Sequence, residues 1–319
     1  MQTWIWVVII ILVVSGALFP VVVVPTVIYF VLLTRFSPKK WARECTIPDD
    51  EEYLGMFNEG MEWENKYSDF KSPVSISSCG FKLEGEYFDF GNKKSVIIIA
   101  GRMESLLYSY YFAEPYRSSG YNVLVIDNRA HGLSEGHINS MGYREYKDIL
   151  NWSEFLHEEK GINKIILHGI CIGSQTALFA LTSPKCPSYL SGMVAEGMFV
   201  SFYEMFKNQL RKRNKPLFPT QQMIAVLARI IAGADIVHDG PIFRIGKLNK
   251  PILFLYSLED AFAKPDKARE LYEACSAPKK IVWFEKGEHS RIRPNDREGY
   301  DGAVVGFLNE YITFEAVSE

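Results

Sequence analysis

No charged side chain occurs in the first 34 residues of this chain. No C-x-x-C pair and no clustered Cys/His spacing appears anywhere, which leaves no pattern for structural zinc. Cysteine is sparse: five in 319 residues make no disulfide scaffold, and the odd count leaves at least one thiol free. No long block of one charge sign is present, and 35 Lys+Arg against 38 Asp+Glu give a net charge of -3. A basic field able to hold nucleic acid is therefore missing. There is no internal repeat, and no low-complexity tract beyond the N-terminal apolar run. What is present, 48% hydrophobic and 23% charged residues, is globular in balance and excludes wholesale disorder.

The apolar residues concentrate first at the N-terminus. Residues 4–33 are almost wholly apolar, longer than the about 20 residues a helix needs to cross a bilayer. Residues 1–35 are therefore expected to form a single-pass transmembrane anchor. Pro20 and Pro25 either kink one span or separate two limbs of a re-entrant hairpin. A cleaved signal peptide fits less well, because no Lys or Arg precedes the run and it continues past Ser15-Gly16-Ala17. Trp4, Trp6 and Tyr29 sit where interfacial aromatics belong, and Arg35, Lys39, Lys40 and Arg43 follow the span. The positive-inside tendency then puts the remainder in the cytoplasm, with the lipid bilayer as a partner.

Residues 36–72 are mixed, acidic and aromatic, and are expected to be a linker or N-terminal extension. Asp49 to Glu52 read as a solvated turn or a helix start. From residue 73 a regular rhythm begins. Residues 73–77 and 81–90 read as an antiparallel pair joined at Cys79-Gly80. Continuous apolar runs at 95–100 and 121–126 read as strands covered on both faces. Further strands are expected at 164–167, 192–195, 251–256 and 280–284. Helical periods fall between them, at 106–118, 143–157, 174–182 and 266–274. Strands alternating with helices predict an α/β domain over 73–319, its sheet mostly parallel but mixed, with helices on both faces. Residues 202–250 interrupt the alternation and read as a short helical lid.

The chemistry centres on Gly169-Ile170-Cys171-Ile172-Gly173, between a strand and a helix. Glycines two residues either side of Cys171 fit a strained turn that presents a nucleophile. The helix N-terminus behind it favours a thiolate and an oxyanion. Ser174 is the competing nucleophile, one helical step on. A nucleophile there needs a base and a group to orient it. His289 follows the last strand and Asp260 the one before it, at the strand ends where open α/β sheets build sites. Glu259 and Glu196 compete with Asp260 for the acid. Two backbone amides, of Ile172 and of Arg102 after the 95–100 strand, are expected to form an oxyanion hole. Arg291 and Arg293, just past His289, are candidates to bind an anionic substrate group or lipid headgroups. No metal ligand set and no cofactor is implied.

These motifs resemble those of the α/β-hydrolase fold, of the compact kind that includes serine aminopeptidase-like and acyl-glycerol lipase-like proteins. The resemblance covers about residues 73–312. It rests on Ala100-Gly101, where that group usually has His-Gly, on Asp127-Asn128-Arg129-Ala130-His131-Gly132-Leu133-Ser134, on the Gly169–Gly173 turn, and on the Asp260 and His289 loops. It implies an α/β-hydrolase fold with a Cys171-His289-Asp260 triad, and it implies that Arg129 and His131 are scaffold. Cysteine in place of the usual serine is similar to dienelactone hydrolases, polyhydroxyalkanoate synthases and bile-acid-CoA acyltransferases. The expected activity is hydrolysis of a small-molecule ester or thioester through an acyl-enzyme. An acyltransferase using the same thiol, or a binding protein on this fold, remains open at this stage.

Overall fold

The structure, a computed structural model, describes residues 2–312. The end of the expected catalytic domain, 313–319, lies outside the described residues. Eight strands form one sheet: β1 Lys71–Ser78, β2 Phe81–Phe88, β3 Lys94–Ile99, β4 Asn122–Ile126, β5 Lys164–Ile170, β6 Leu190–Glu196, β7 Ile252–Ser257 and β8 Lys279–Phe284. Their order is β1-β2-β4-β3-β5-β6-β7-β8. β2 pairs antiparallel with β1 and β4, and the pairs from β4 to β8 are parallel.

The apolar runs form strands because both sheet faces are covered. Along β3, Ile97 and Ile99 enter one core while Val96 and Ile98 enter the other, the period of two a pleated strand imposes. Residues that complete the first core come from helices α4 (Glu145–Glu158), α5 (Ile172–Leu181) and α8 (Pro265–Ala274). Those of the second come from α3 (Glu51–Lys66), the aromatic stretch 106–116 and α9 (Arg297–Phe307). The insertion between β6 and β7, which the sequence suggests as a lid, is helical. It contains α6 (Phe202–Lys212) and α7 (Thr220–Leu227), with Ser201 Oγ capping α6 at Glu204 N, 3.2 Å away.

The N-terminal apolar run differs from the expected span. It folds as α1 (Gln2–Leu18), a π-turn over Phe19–Val23, and α2 (Val24–Leu33). Among the described residues, no helix is long and apolar enough to cross a membrane. Pro20 lies in the turn that separates the two helices, and its ring nitrogen has no hydrogen to donate. The second half of the run is also occupied by protein. α2 packs on lid helix α7, and Tyr29 and Leu33 are 0% and 1% exposed in the first core. Residues of the basic flank are bound to the protein as well. Lys40 Nζ caps the carbonyls of Val31 and Thr34, and Arg43 pairs with Asp127 and Glu86. α1 presents apolar side chains, Trp4 through Val13, to the outside.

Residues 36–72 are built into the domain rather than stretched as a linker. Asp50 caps α3, accepting from Tyr53 N at 3.0 Å, and Tyr53 and Met56 are buried beneath the helix. Trp41 stacks on His131 with ring centroids 4.5 Å apart.

Candidate active site

β5 ends at Ile170 and α5 starts at Ile172, so Cys171 takes the whole turn. Its φ of 55° and ψ of -113° are a strained conformation for a side-chain-bearing residue. A Cβ on Gly169 would lie 2.3 Å from Ser174 N, and one on Gly173 would lie 2.1 Å from Ile99 O. Only glycine fits at either place. Cys171 N donates to Glu196 O at 2.9 Å, which ties the turn to β6. Ser174 is buried, and its hydroxyl donates to Gly169 O at 2.6 Å, so it faces away from any substrate.

The β7 and β8 loops bring the other two groups. Asp260 Oδ1 accepts from the amides of Phe262 and Ala263, both at 2.8 Å. Its Oδ2 bonds His289 Nδ1 at 2.7 Å. That bond leaves His289 Nε2 buried with no other hydrogen-bond partner. Burial alone would lower the pKa of the ring. The Asp260 carboxylate and the Cys171 sulfur outweigh it and hold the imidazole well above its ordinary 6.5. Burial likewise pushes Asp260 up, but His289 and the two amides pull it down to a net decrease. Of the competing acids, Glu259 accepts from Gly287 N at 3.0 Å and anchors the His289 loop.

The loop after β3 lies opposite. Its carbonyls are held from behind: Asn128 Nδ2 donates to Ala100 O, Thr46 Oγ1 to Met103 O, and His131 Nε2 sits 2.5 Å from Arg102 O. Ile172 N–H is the first amide of α5 and has no acceptor inside the helix. Among the described residues, nothing accepts from Arg102 N–H either. Cys171, His289 and this loop line one cavity of about 250 Å³.

The comparisons with known proteins agree with the fold. A family model described as "alpha/beta hydrolase fold" matches residues 94–232. The Pyrococcus furiosus esterase Pf2001 is similar over 78% of this chain and 94% of its own, with a TM-score of 0.66 at 21% identity. An acylaminoacyl peptidase of Pyrococcus horikoshii is similar over 78% of this chain and 43% of its own, with a TM-score of 0.56 at 19% identity. In sequence, the uncharacterized protein YqkD of Bacillus subtilis (strain 168) is 27% identical over 239 residues, 74% of this chain and 78% of that one.

The chain has the α/β-hydrolase fold.

Two of the sequence-derived site residues are committed elsewhere. Arg293 is buried, clamped on both oxygens of Asp301 at 2.7 Å and on Tyr111 O at 2.6 Å. Arg291 lies at the cavity edge, but Asp50 and Glu52 hold its guanidinium at 2.7 to 3.2 Å. The charge of both arginines, expected from the sequence to bind an anionic group, is matched by carboxylates of the chain itself. The matching carboxylates lie some 240 positions earlier or on the next helix, which local spacing does not reveal. Arg129, by contrast, is scaffold as expected, bidentate to buried Asp148 at 2.7 and 3.1 Å.

Cavity walls that the sequence did not point to include Ile47, Tyr53, Glu104 and Arg213. Asp50 four residues before Leu54 was a readable helix-start signal; that the helix would cover the site was not.

Glu196, the remaining acid, lies beneath the site. Tyr300 donates to its Oε2 at 2.6 Å, and the hydroxyl also meets His168 Nε2 at 3.1 Å. Burial pushes this carboxyl up from 4.5 to about 7. The folded chain then keeps a proton that the unfolded chain releases above 4.5. Stability contributed by that proton is complete below pH 4.5 and lost as pH rises through 7, by about 3 kcal/mol. Glu196→Gln is expected to remove this loss. Urea midpoints between pH 4.5 and 8 measure it: the variant gains on wild type as pH rises. A constant offset between the two would contradict the assignment.

Proposed function

We propose that this α/β-hydrolase cleaves an ester or thioester through Cys171, with His289 as base and Asp260 as its orienter. The observation that supports this best is the free Nε2 of His289, buried beside Cys171 while Nδ1 is held by Asp260. In the proposed sequence, His289 Nε2 takes the thiol proton and Sγ attacks the acyl carbon. The amides of Ile172 and Arg102 bind the oxyanion. Collapse expels the alcohol or thiol, which receives the proton from His289. Water then attacks the acyl-enzyme, giving its proton to His289 and releasing the acid and the thiol. Turnover of short acyl esters and thioesters, with products quantified, tests this. Equal yields of acid and leaving group are expected, with or without added amine or alcohol. Acyl product on the acceptor would instead establish transfer.

We further propose that α1 associates with a lipid bilayer, placing the α/β-hydrolase at the membrane. The support is its exposed apolar surface from Trp4 to Val13. A helix of 17 residues is about 25 Å long, short of the hydrocarbon thickness, so partial insertion fits it better than a full crossing. The full chain should float with phosphatidylcholine vesicles in a density gradient, and a chain lacking residues 2–18 should stay at the bottom. Equal behaviour of both would count against the helix as the attachment. A cytoplasmic domain remains part of this proposal, though Arg35, Lys40 and Arg43 of the basic flank are bonded to the protein itself.

A further inference from the structure

The charges around the cavity do not cancel. Arg291 is matched by Asp50 and Glu52. Glu288 is largely exposed, 3.8 Å from Lys212. Glu104 has one oxygen within 3.3 Å of the Tyr53 hydroxyl and the other buried without a partner. Burial raises its pKa on balance, against the opposing charge of Arg102 and hydrogen bonds from backbone amides, and among the described residues it makes no contact of ion-pair length with Arg102. Two guanidiniums are left over. Arg102 gives one N–H to the carbonyl of Leu32 at 2.8 Å, and among the described residues meets no carboxylate. Arg213, at the C-terminal end of lid helix α6, makes no ion pair and no side-chain hydrogen bond among them. Both line the cavity that holds Cys171.

A cation withdrawn from water without a partner is costly. That cost falls on Arg102, because Arg213 is exposed: burial pulls Arg102 below its ordinary pKa, Cys171 and Glu104 oppose the shift, and Arg213 adds to it. A bound anion would offset the cost at Arg102 and be reached by Arg213 from the other wall. The planar guanidinium fork fits a carboxylate with two parallel hydrogen bonds. The lid wall and the oxyanion loop carry one arginine each, so an anion between them would lie near the reacting sulfur.

We propose that Arg102 and Arg213 form an anion subsite, and that the substrate is an ester or thioester whose acyl group carries a carboxylate. This deepens the reading of Cys171 as the reacting group and rests on it. It replaces Arg291 and Arg293 with two arginines whose charge is unspent.

The test uses the full chain and needs no turnover. Cys171 is alkylated with iodoacetate, which is anionic, or iodoacetamide, which is neutral, and the sites are mapped by digestion. Exposed Cys79 in the same molecule is the internal reference. The iodoacetate-to-iodoacetamide rate ratio should be about tenfold higher at Cys171 than at Cys79. Arg213→Ala should lower the Cys171 ratio by about tenfold, and Arg213→Lys should keep most of it. In turnover, a hemisuccinate ester should be preferred to its neutral butyrate counterpart in kcat/KM, and Arg213→Ala should erase that preference. A ratio at Cys171 equal to that at Cys79 would overturn the subsite. So would a high ratio unmoved by Arg213→Ala, because the cation would then be His289. Failure of the hydrolase reading looks different: both reagents label Cys171 with the stated ratio, yet no ester is turned over.

Discussion

Cys171→Ala is expected to lower kcat on any turned-over ester by about a thousandfold or more, with the fold intact. The size follows from the mechanism. Without Sγ no acyl-enzyme forms, and only the oxyanion amides and binding remain to assist water. The fold should survive because alanine fits the same turn, and the turn is secured by the backbone bond from Cys171 N to Glu196 O and by Gly169 and Gly173. His289→Ala should lose nearly as much, since the thiol then lacks its base. Groups acting as a unit are not additive, so the double variant should be barely slower than either single one. Asp260→Asn should lower the pKa of His289, because the carboxylate is the main group raising it. Single and double variants compared on one ester, with thermal melts as the control for folding, measure this. Losses that multiply in the double variant would contradict a shared role.

Arg293→Met is expected to destabilise the chain by about 3 to 5 kcal/mol. The guanidinium is almost wholly buried, and its donors satisfy both oxygens of Asp301 and the carbonyl of Tyr111. Methionine fills much of the volume but leaves those acceptors inside the protein without donors. Arg297→Met is the matched comparison, because Arg297 and its partner Glu59 are both exposed. Exposed pairs contribute only about 0 to 1 kcal/mol. Urea unfolding of the two variants and wild type measures the difference. Similar midpoints for the two variants would remove Arg293 from the structural framework and return it to the list of candidate binding groups.

Much of the fold was legible because it depends on local pattern. The runs at 95–100 and 121–126 are apolar without alternation, and they became β3 and β4, buried on both faces. The turn at Cys171 was legible because steric need puts glycine at two fixed spacings. The residues paired in Asp260 and His289 stand just after apolar runs, so their places at the sheet edge followed from the strands. Long-range matching was not legible. The charge of Arg293 is spent on Asp301 and that of Arg291 on Asp50, and nothing adjacent to either arginine says so. The run at 4–33 reads as one apolar stretch, since hydropathy alone does not distinguish side chains facing lipid from Tyr29 and Leu33 facing the lid. Residues 106–118 read as one helix but break into pieces around Tyr110–Phe112, where Pro115 and packed aromatic rings set the backbone. Arg213 was legible only as one of several basic residues in the insertion, because its place on the wall of the cavity that holds Cys171 depends on the fold.

The central claim is that Cys171 is a nucleophile activated by His289. Brief mixing with p-nitrophenyl acetate, followed by intact-protein mass spectrometry and digestion, tests it most directly. The account predicts one acetyl adduct on Cys171 in the wild-type chain and none in His289→Ala. Acetylation spread over all five cysteines, or equal labelling of Cys171 in both chains, would contradict it.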